Sequence, residues 1–235
     1  MMKKWPIVML LLAHTTLTAN AWAREAPQPL PLKVKVGGGI KDKSAIPTRF
    51  AFCMPAGKNA TKDGGNLNPQ ISWSGAPKDT KSYAIIVVDK DVPASFDNAN
   101  KEGKVIAKDA QRQNFYHWVM ADIPSDVKKI PQGKDSGGIV VGGKPVGKTK
   151  YGVNGRNDYA TFMKGTYGGY DGPCPPWNDE RLHHYHFQVY ALDVSSLGLK
   201  GAFTGKDLEK AMDGHILAKG EVVGTFSNNK DGLKP

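Results

Sequence analysis

The chain has 235 residues, enough for one good core, and carries a formal net charge of +10. That charge biases it toward anions, but Lys33, Lys58, Lys78, Lys104, Lys148 and Lys219 are scattered, with no dense basic block and no nucleic-acid motif beside them. Nucleic acid is therefore not the expected partner, and two cysteines without ligand spacing argue against a structural zinc site.

The first 23 residues read as a secretory signal peptide. Lys3 and Lys4 form a positive start, Pro6 to Ala13 is apolar, and a small-polar run ends at Ala21-Trp22-Ala23, with cleavage expected after Ala23. The apolar stretch is too short to span a bilayer, and no later segment approaches that length. The mature chain is expected in the periplasm or outside the cell, with a charge of +8 once Lys3 and Lys4 are subtracted from +10. Cys53 and Cys174 both lie in the mature part, and an even count in an oxidising compartment predicts one disulfide.

Residues 24–46 read as a proline-rich lead-in followed by a first strand. Lys33-Val34-Lys35-Val36 alternates with period two and stops at Gly37-Gly38-Gly39. Gln70 to Ser74 alternates as well. Tyr83 to Val88 is a continuous apolar, largely β-branched run, as expected of a strand buried on both faces. Further strands are expected at Phe115 to Asp122, Gly138 to Val141 and His186 to Leu192. One helix is expected, capped by Thr204 with Asp207 three residues on and Leu208, Met212 and Ile216 at helical spacing; Gly214 is placed to break it early. Residues 227–235 form a polar tail expected to fray. Many strands, long loops and a late helix predict a mainly antiparallel β domain with helices at its edge.

Four segments concentrate polar chemistry. In Asp89-Lys90-Asp91-Val92-Pro93 the two carboxylates share a face if the strand continues, although the spacing alone favours a turn before Pro93. His117-Trp118 lies within an aromatic strand, where a histidine is a core residue, a metal ligand or a phosphate donor. Gly168 to Pro176 is dense in glycine and proline, suited to a rigid wall and to aiming amides at an anion. In His183-His184-Tyr185-His186, alternation puts His183 and Tyr185 on one face and the other two histidines opposite.

In this order the four segments resemble the phosphatidylethanolamine-binding protein family, and more closely its bacterial Raf-kinase-inhibitor-like branch. The matching residues are Asp89, Asp91 and Pro93, His117-Trp118-Val119, Gly172-Pro173-Cys174-Pro175-Pro176, and His183 and Tyr185 leading into Val189 to Asp193. Asn68-Pro69, Lys81-Ser82 and Asn154 to Tyr159 add to them, so that the resemblance runs from Pro47 to Thr225. It implies a domain over residues 47–226, with a large central antiparallel sheet, a smaller second sheet and short peripheral helices near the C-terminus. It also implies a small pocket for phosphate-like or carboxylate anions, lined by Asp89, Asp91, His117, Gly172, Pro173, His183 and Tyr185. The two aspartates would repel an anion, so they are expected to accept from the histidines and leave the other ring nitrogen facing the ligand, or to hold an amine beside the phosphate. Lys90, Val92 and His184 depart from the family's usual residues. The long polar loop from Ala94 to Gln113 makes a different pocket mouth expected.

The resulting expectation is a binding module without turnover or cofactor. No nucleophile elbow is present, and Cys174 sits among prolines. Two other readings stand beside it: an inhibitor of a protease or kinase, or an extracellular effector, and a metal-assisted hydrolase using Asp89, Asp91, His117 and His183.

Overall fold

The computed structural model describes residues 1–2, 29–229 and 233. The signal peptide expected over residues 1–23 falls, from residue 3 onward, outside the described residues. Four long strands form the spine of an eight-stranded sheet: Ser82–Pro93, Arg112–Pro124, His183–Leu192 and Ile216–Phe226. Across the sheet the order is Leu30–Pro31, Ile216–Phe226, His183–Leu192, Ser82–Pro93, Arg112–Pro124, Val153–Asn154 and Gly147–Lys148. The sheet is mixed rather than wholly antiparallel, because Leu30–Pro31 and Ser44–Ala45 both pair in parallel with Ile216–Phe226. A three-stranded sheet (Lys33–Val36, Ile71–Ser74, Lys129–Ile130) and a hairpin (Cys53–Pro55 with Thr61–Asp63) complete the β structure.

The run from Tyr83 to Val88 is buried along its whole length, as an apolar strand covered on both faces must be. Its odd-numbered residues join Trp118, Met120, Phe187 and Val189 in a core facing the smaller sheet. Its even-numbered residues join Val119, Leu192, Leu208 and Met212 under the helix. Asp89, His183 and Tyr185 continue the first of these faces beyond its apolar rows, so period-two alternation delivers the polar groups to one end of the core.

The helix Gly205–Met212 begins with the predicted Thr204 cap, in a capping box with Asp207. It ends before Ile216, because Gly214 takes a φ of +77° and Ile216 opens the last long strand. Gly138 to Val141 is not a strand. Gly138, Gly142 and Gly143 all have positive φ, and Val141 is fully exposed at the tip of the loop. The last strand was hidden in the sequence by Gly220 and Gly224. These glycines are needed because a Cβ would lie 2.0 Å from the Leu32 carbonyl oxygen at the first and 2.6 Å from Ile46 at the second. Within the expected polar tail, the Asn228 amide donates to the Pro175 carbonyl at 2.8 Å, and residues 230–232 and 234–235 lie outside the described residues. Cys53 and Cys174 form the expected disulfide, with Cα atoms 4.9 Å apart.

Candidate functional site

The aspartate segment remains in its strand to Pro93, with a register shift between Asp89 and Val92, instead of turning. Asp89 is buried and Lys90 exposed. Tyr185 pairs directly with Asp89 across the strands, which sets its ring beside the carboxylate. His183 enters two residues earlier on the same face, and His117 comes from the neighbouring strand on the other side of Asp89.

Asp89, His117, His183 and Tyr185 line one small cleft of about 50 Å³. That is several times the ~10–15 Å³ that admits a single water, and far too small for acyl chains. Cys174, Pro175 and Pro176 form one wall, and Phe96, Phe115, Tyr159 and Phe162 form an aromatic rim. Phe96 belongs to the long loop before His117, so that loop does shape the mouth.

The remaining predicted residues lie outside this lining. Asp91 turns to the His184 ring at 2.8 Å and to Arg181 at 3.3 Å. The Gly172 amide, expected to be aimed at an anion, instead donates to the Asn66 side chain at 2.8 Å. The Gly172 carbonyl accepts from Tyr159, and the Pro173 carbonyl accepts from the Phe52 amide. The glycine–proline segment thus supports the wall with its backbone, and the next three residues present the surface.

Each histidine has a distinct state. His183 Nδ1 lies 2.6 Å from Asp89 and Nε2 lies 3.2 Å from Asp179. Burial alone would lower its pKa, but two flanking carboxylates outweigh burial and raise it to about 9. His183 is therefore an imidazolium with both N–H groups committed, and neither faces a ligand. Asp89 is held below the ordinary carboxylate range because the His183 charge and hydrogen bond overcome its desolvation. Asp179 in turn takes a bidentate pair from Arg112, at 2.6 and 3.0 Å. Asp89, His183, Asp179 and Arg112 form a buried, electrically neutral relay. Arg112 and Asp179 were missed by sequence reasoning; each is an ordinary polar residue in a loop-rich stretch, and only their three-dimensional pairing marks them.

His117 is the opposite case. Desolvation lowers its pKa and outweighs the pull of Asp89, so the ring is neutral. Its Nδ1 lies 2.8 Å from the Asp171 carbonyl oxygen, which can only accept, so Nδ1 carries the proton and Nε2 holds a lone pair. The group that fixes this tautomer is a backbone carbonyl, not an aspartate side chain as expected. His117 Nε2 and Tyr185 Oη are both buried, and among the described residues neither has a partner at hydrogen-bond geometry; Asp89 lies near enough to interact with the Tyr185 hydroxyl without satisfying that geometry. The Tyr185 pKa is driven well above its ordinary value by burial and by Asp89, so its hydroxyl keeps its proton. The cleft therefore offers one acceptor, one hydroxyl and one side of an ion-paired carboxylate.

Behind the cleft, the Asp171 carboxylate accepts from Lys144, from Asn66 at 2.7 Å and from Asn157 at 2.9 Å. Among the described residues no group of three or more His, Cys, Asp or Glu side chains is arranged to hold a metal.

The relay makes stability pH-dependent. The folded pKa of His183, about 9, exceeds the unfolded value near 6.5. Its contribution is fully present below pH ~6.5 and is lost as pH rises through ~9. Asp89 and Asp179 are shifted down, so their contributions hold above the unfolded value near 3.8 and disappear in acid. Urea unfolding at pH 6 and pH 9.5 should differ by on the order of 2 kcal/mol, with the alkaline sample weaker. Equal midpoints at both pH values would remove the imidazolium assignment.

The family model for "Phosphatidylethanolamine-binding protein" matches residues 38–227. The chain is 35% identical over 195 residues to a UPF0098 protein of Pyrococcus horikoshii, covering 81% of this chain and 80% of that one. It is 29% identical to the UPF0098 protein YbcL of Escherichia coli, over 70% of this chain and 73% of the other. The crystal structure of E. coli YbcL, described as a new member of the mammalian PEBP family, superposes with a TM-score of 0.60 at 26% identity, covering 83% of this chain and 98% of that one.

Proposed function

Since the chain belongs to the phosphatidylethanolamine-binding protein family, we propose that it is an exported binding protein whose cleft takes a small phosphate-like group. The observation that carries this reading is the pair of buried, unpartnered atoms, His117 Nε2 and Tyr185 Oη, at one cleft. A buried polar atom left unpaired costs about 1–3 kcal/mol, so a ligand that supplies both partners recovers that energy. Tyr185 donates to one oxyanion oxygen. His117 Nε2 accepts from a protonated ligand oxygen, or gains a proton and donates to a charged one.

Either route leaves the complex one proton richer than a neutral His117 and a fully ionised phosphate. The buried relay adds no net charge, so this proton is the cleft's means of tolerating an anion beside Asp89. The disulfide and the order of residues at the start of the chain support export. The exposed Phe96 and Phe162 beside the cleft support a docking role toward a partner protein, with the cleft as its anchor. The metal-assisted hydrolase reading lacks such support, because Asp91 turns away from the cleft and both His183 nitrogens are engaged by carboxylates.

NMR titration with phosphate and with O-phosphorylethanolamine should give saturable shifts at His117 and Tyr185, absent in His117→Ala. Above pH ~7.5, where His117 and both ligands are largely deprotonated, affinity should fall about tenfold per pH unit. Calorimetry in buffers of different ionisation heat should register uptake of about one proton. Affinity unchanged between about pH 6.5 and 8.5 would contradict the proposed proton linkage.

A further inference from the structure

Immediately beyond Pro176, the chain leaves the cleft wall and enters a second, larger concavity of about 600 Å³. Four segments meet there. They are the hairpin turn Gly57–Asn59, residues Gly103–Val105 of the long loop, the stretch from Trp177 to Glu180, and Asn228–Asn229. The groove is firmly built. Asn178 donates to the carbonyls of Asn98 at 2.8 Å and Lys104 at 3.0 Å, fastening the long loop to the floor.

Its most telling atom is Asn228 Oδ1. Asn228 is 5% exposed and lines the groove. Its Nδ2 donates to the Pro175 carbonyl at 2.8 Å and contacts Cys53 Sγ at 3.1 Å. A carbonyl only accepts, so the amide cannot be turned around, and Oδ1 is left buried without a donor. An occupant carrying O–H or N–H groups would satisfy it. The same groove is lined by a half-exposed Trp177 and by two exposed cations, Lys58 and Lys104, neither of them ion-paired among the described residues.

An aromatic plane, an unsatisfied acceptor and cations at the margin select a ligand with an apolar face, hydroxyls at its edge and a modest negative charge. A uronic-acid sugar has all three: C–H groups on one ring face, equatorial hydroxyls and a single carboxylate. The volume falls within the ~300–1,000 Å³ usual for small-ligand sites. A nucleotide phosphate carries two charges and a uronate one, and an acidic residue in the lining, Glu180, weighs more against the first than the second. We propose that this groove is a second binding site, separate from the cleft, for an acidic saccharide whose ring lies on Trp177, whose hydroxyl donates to Asn228 Oδ1 and whose carboxylate lies between Lys58 and Lys104.

The test is NMR titration of the full-length chain with digalacturonate, with neutral cellobiose and with AMP, following the Trp177 indole resonance assigned through Trp177→Phe. Digalacturonate should saturate with a Kd near or below about 1 mM, and cellobiose should bind about tenfold more weakly. Lys58→Ala/Lys104→Ala should erase the difference between the two sugars. Trp177→Ala should weaken digalacturonate at least about tenfold, while its unchanged far-UV spectrum excludes misfolding. His117→Ala should bind digalacturonate as the parent does, separating this site from the cleft. Absence of saturable shifts with digalacturonate, or tighter binding of AMP than of digalacturonate, would overturn the proposal.

Discussion

Asp171→Ala should destabilise the fold by about 3–5 kcal/mol, measured as a shift in the urea unfolding midpoint at constant slope. The carboxylate is 1% exposed and is the shared acceptor for Lys144, Asn66 and Asn157. Without it, the Lys144 ammonium, 7% exposed, keeps only the Tyr170 carbonyl at 2.9 Å. The Asn66 and Asn157 amides also lose one of their two acceptors each, keeping only the Gly138 and Gly169 carbonyls. Asp171→Asn should be nearly as damaging, because its own NH₂ group would face donors. Lys144→Met/Asp171→Leu should lose less than Asp171→Ala, since removing both charges leaves no buried ion unpaired. A loss below ~1 kcal/mol for Asp171→Ala would show that the network contributes little. The His117 Nδ1 proton is held by the backbone carbonyl of the same residue, so phosphate affinity should fall together with stability.

The Cys53→Ala/Cys174→Ala variant should lose roughly 4–5 kcal/mol, the value the chain-entropy model gives for a closed loop of this size. The two cysteines are 121 residues apart, so the bridge closes half of the chain. The loss is an upper bound, because residual structure in the unfolded state already shortens that loop. A local effect should accompany it. Cys174 lines the cleft, and Cys53 Sγ is a contact of the Asn228 amide, so both the cleft wall and the second groove rest on this bridge. Thermal unfolding with and without reductant reads the first effect, and phosphate titration of the variant reads the second. Identical melting with and without reductant would deny the bridge its stabilising role.

The sequence displays its strands where side chains alternate or run apolar, and conceals them where backbone proximity dictates glycine. Val34-Lys35-Val36 and Tyr83 to Val88 are plain for the first reason. Ile216–Phe226 was lost for the second: Gly220 and Gly224 read as breakers, yet they allow Leu32 and Ile46 to approach. The β-branched residues of Gly138 to Val141 misled in the opposite direction, because three positive-φ glycines around them dictate a loop. At the site, alternation placed His183 and Tyr185 on one face, and resemblance brought in Asp89 and His117 as their companions. Neither source shows how each ring nitrogen is used. Whether His183 spends both nitrogens on carboxylates, or His117 spends one on a carbonyl, depends on Asp179 and Asp171, which alternation does not relate to either ring.

The sheet order also has a consequence for how the chain is made. Among the described residues, Leu30–Pro31 and Ser44–Ala45 find their strand partner in Ile216–Phe226, which is synthesised about 170 residues or more after them. A polypeptide emerging from the ribosome therefore cannot close its main sheet in vectorial order. These two short segments cannot take their places until Ile216–Phe226 has been made, and pairings so distant in sequence predict slower folding than local hairpins alone would give.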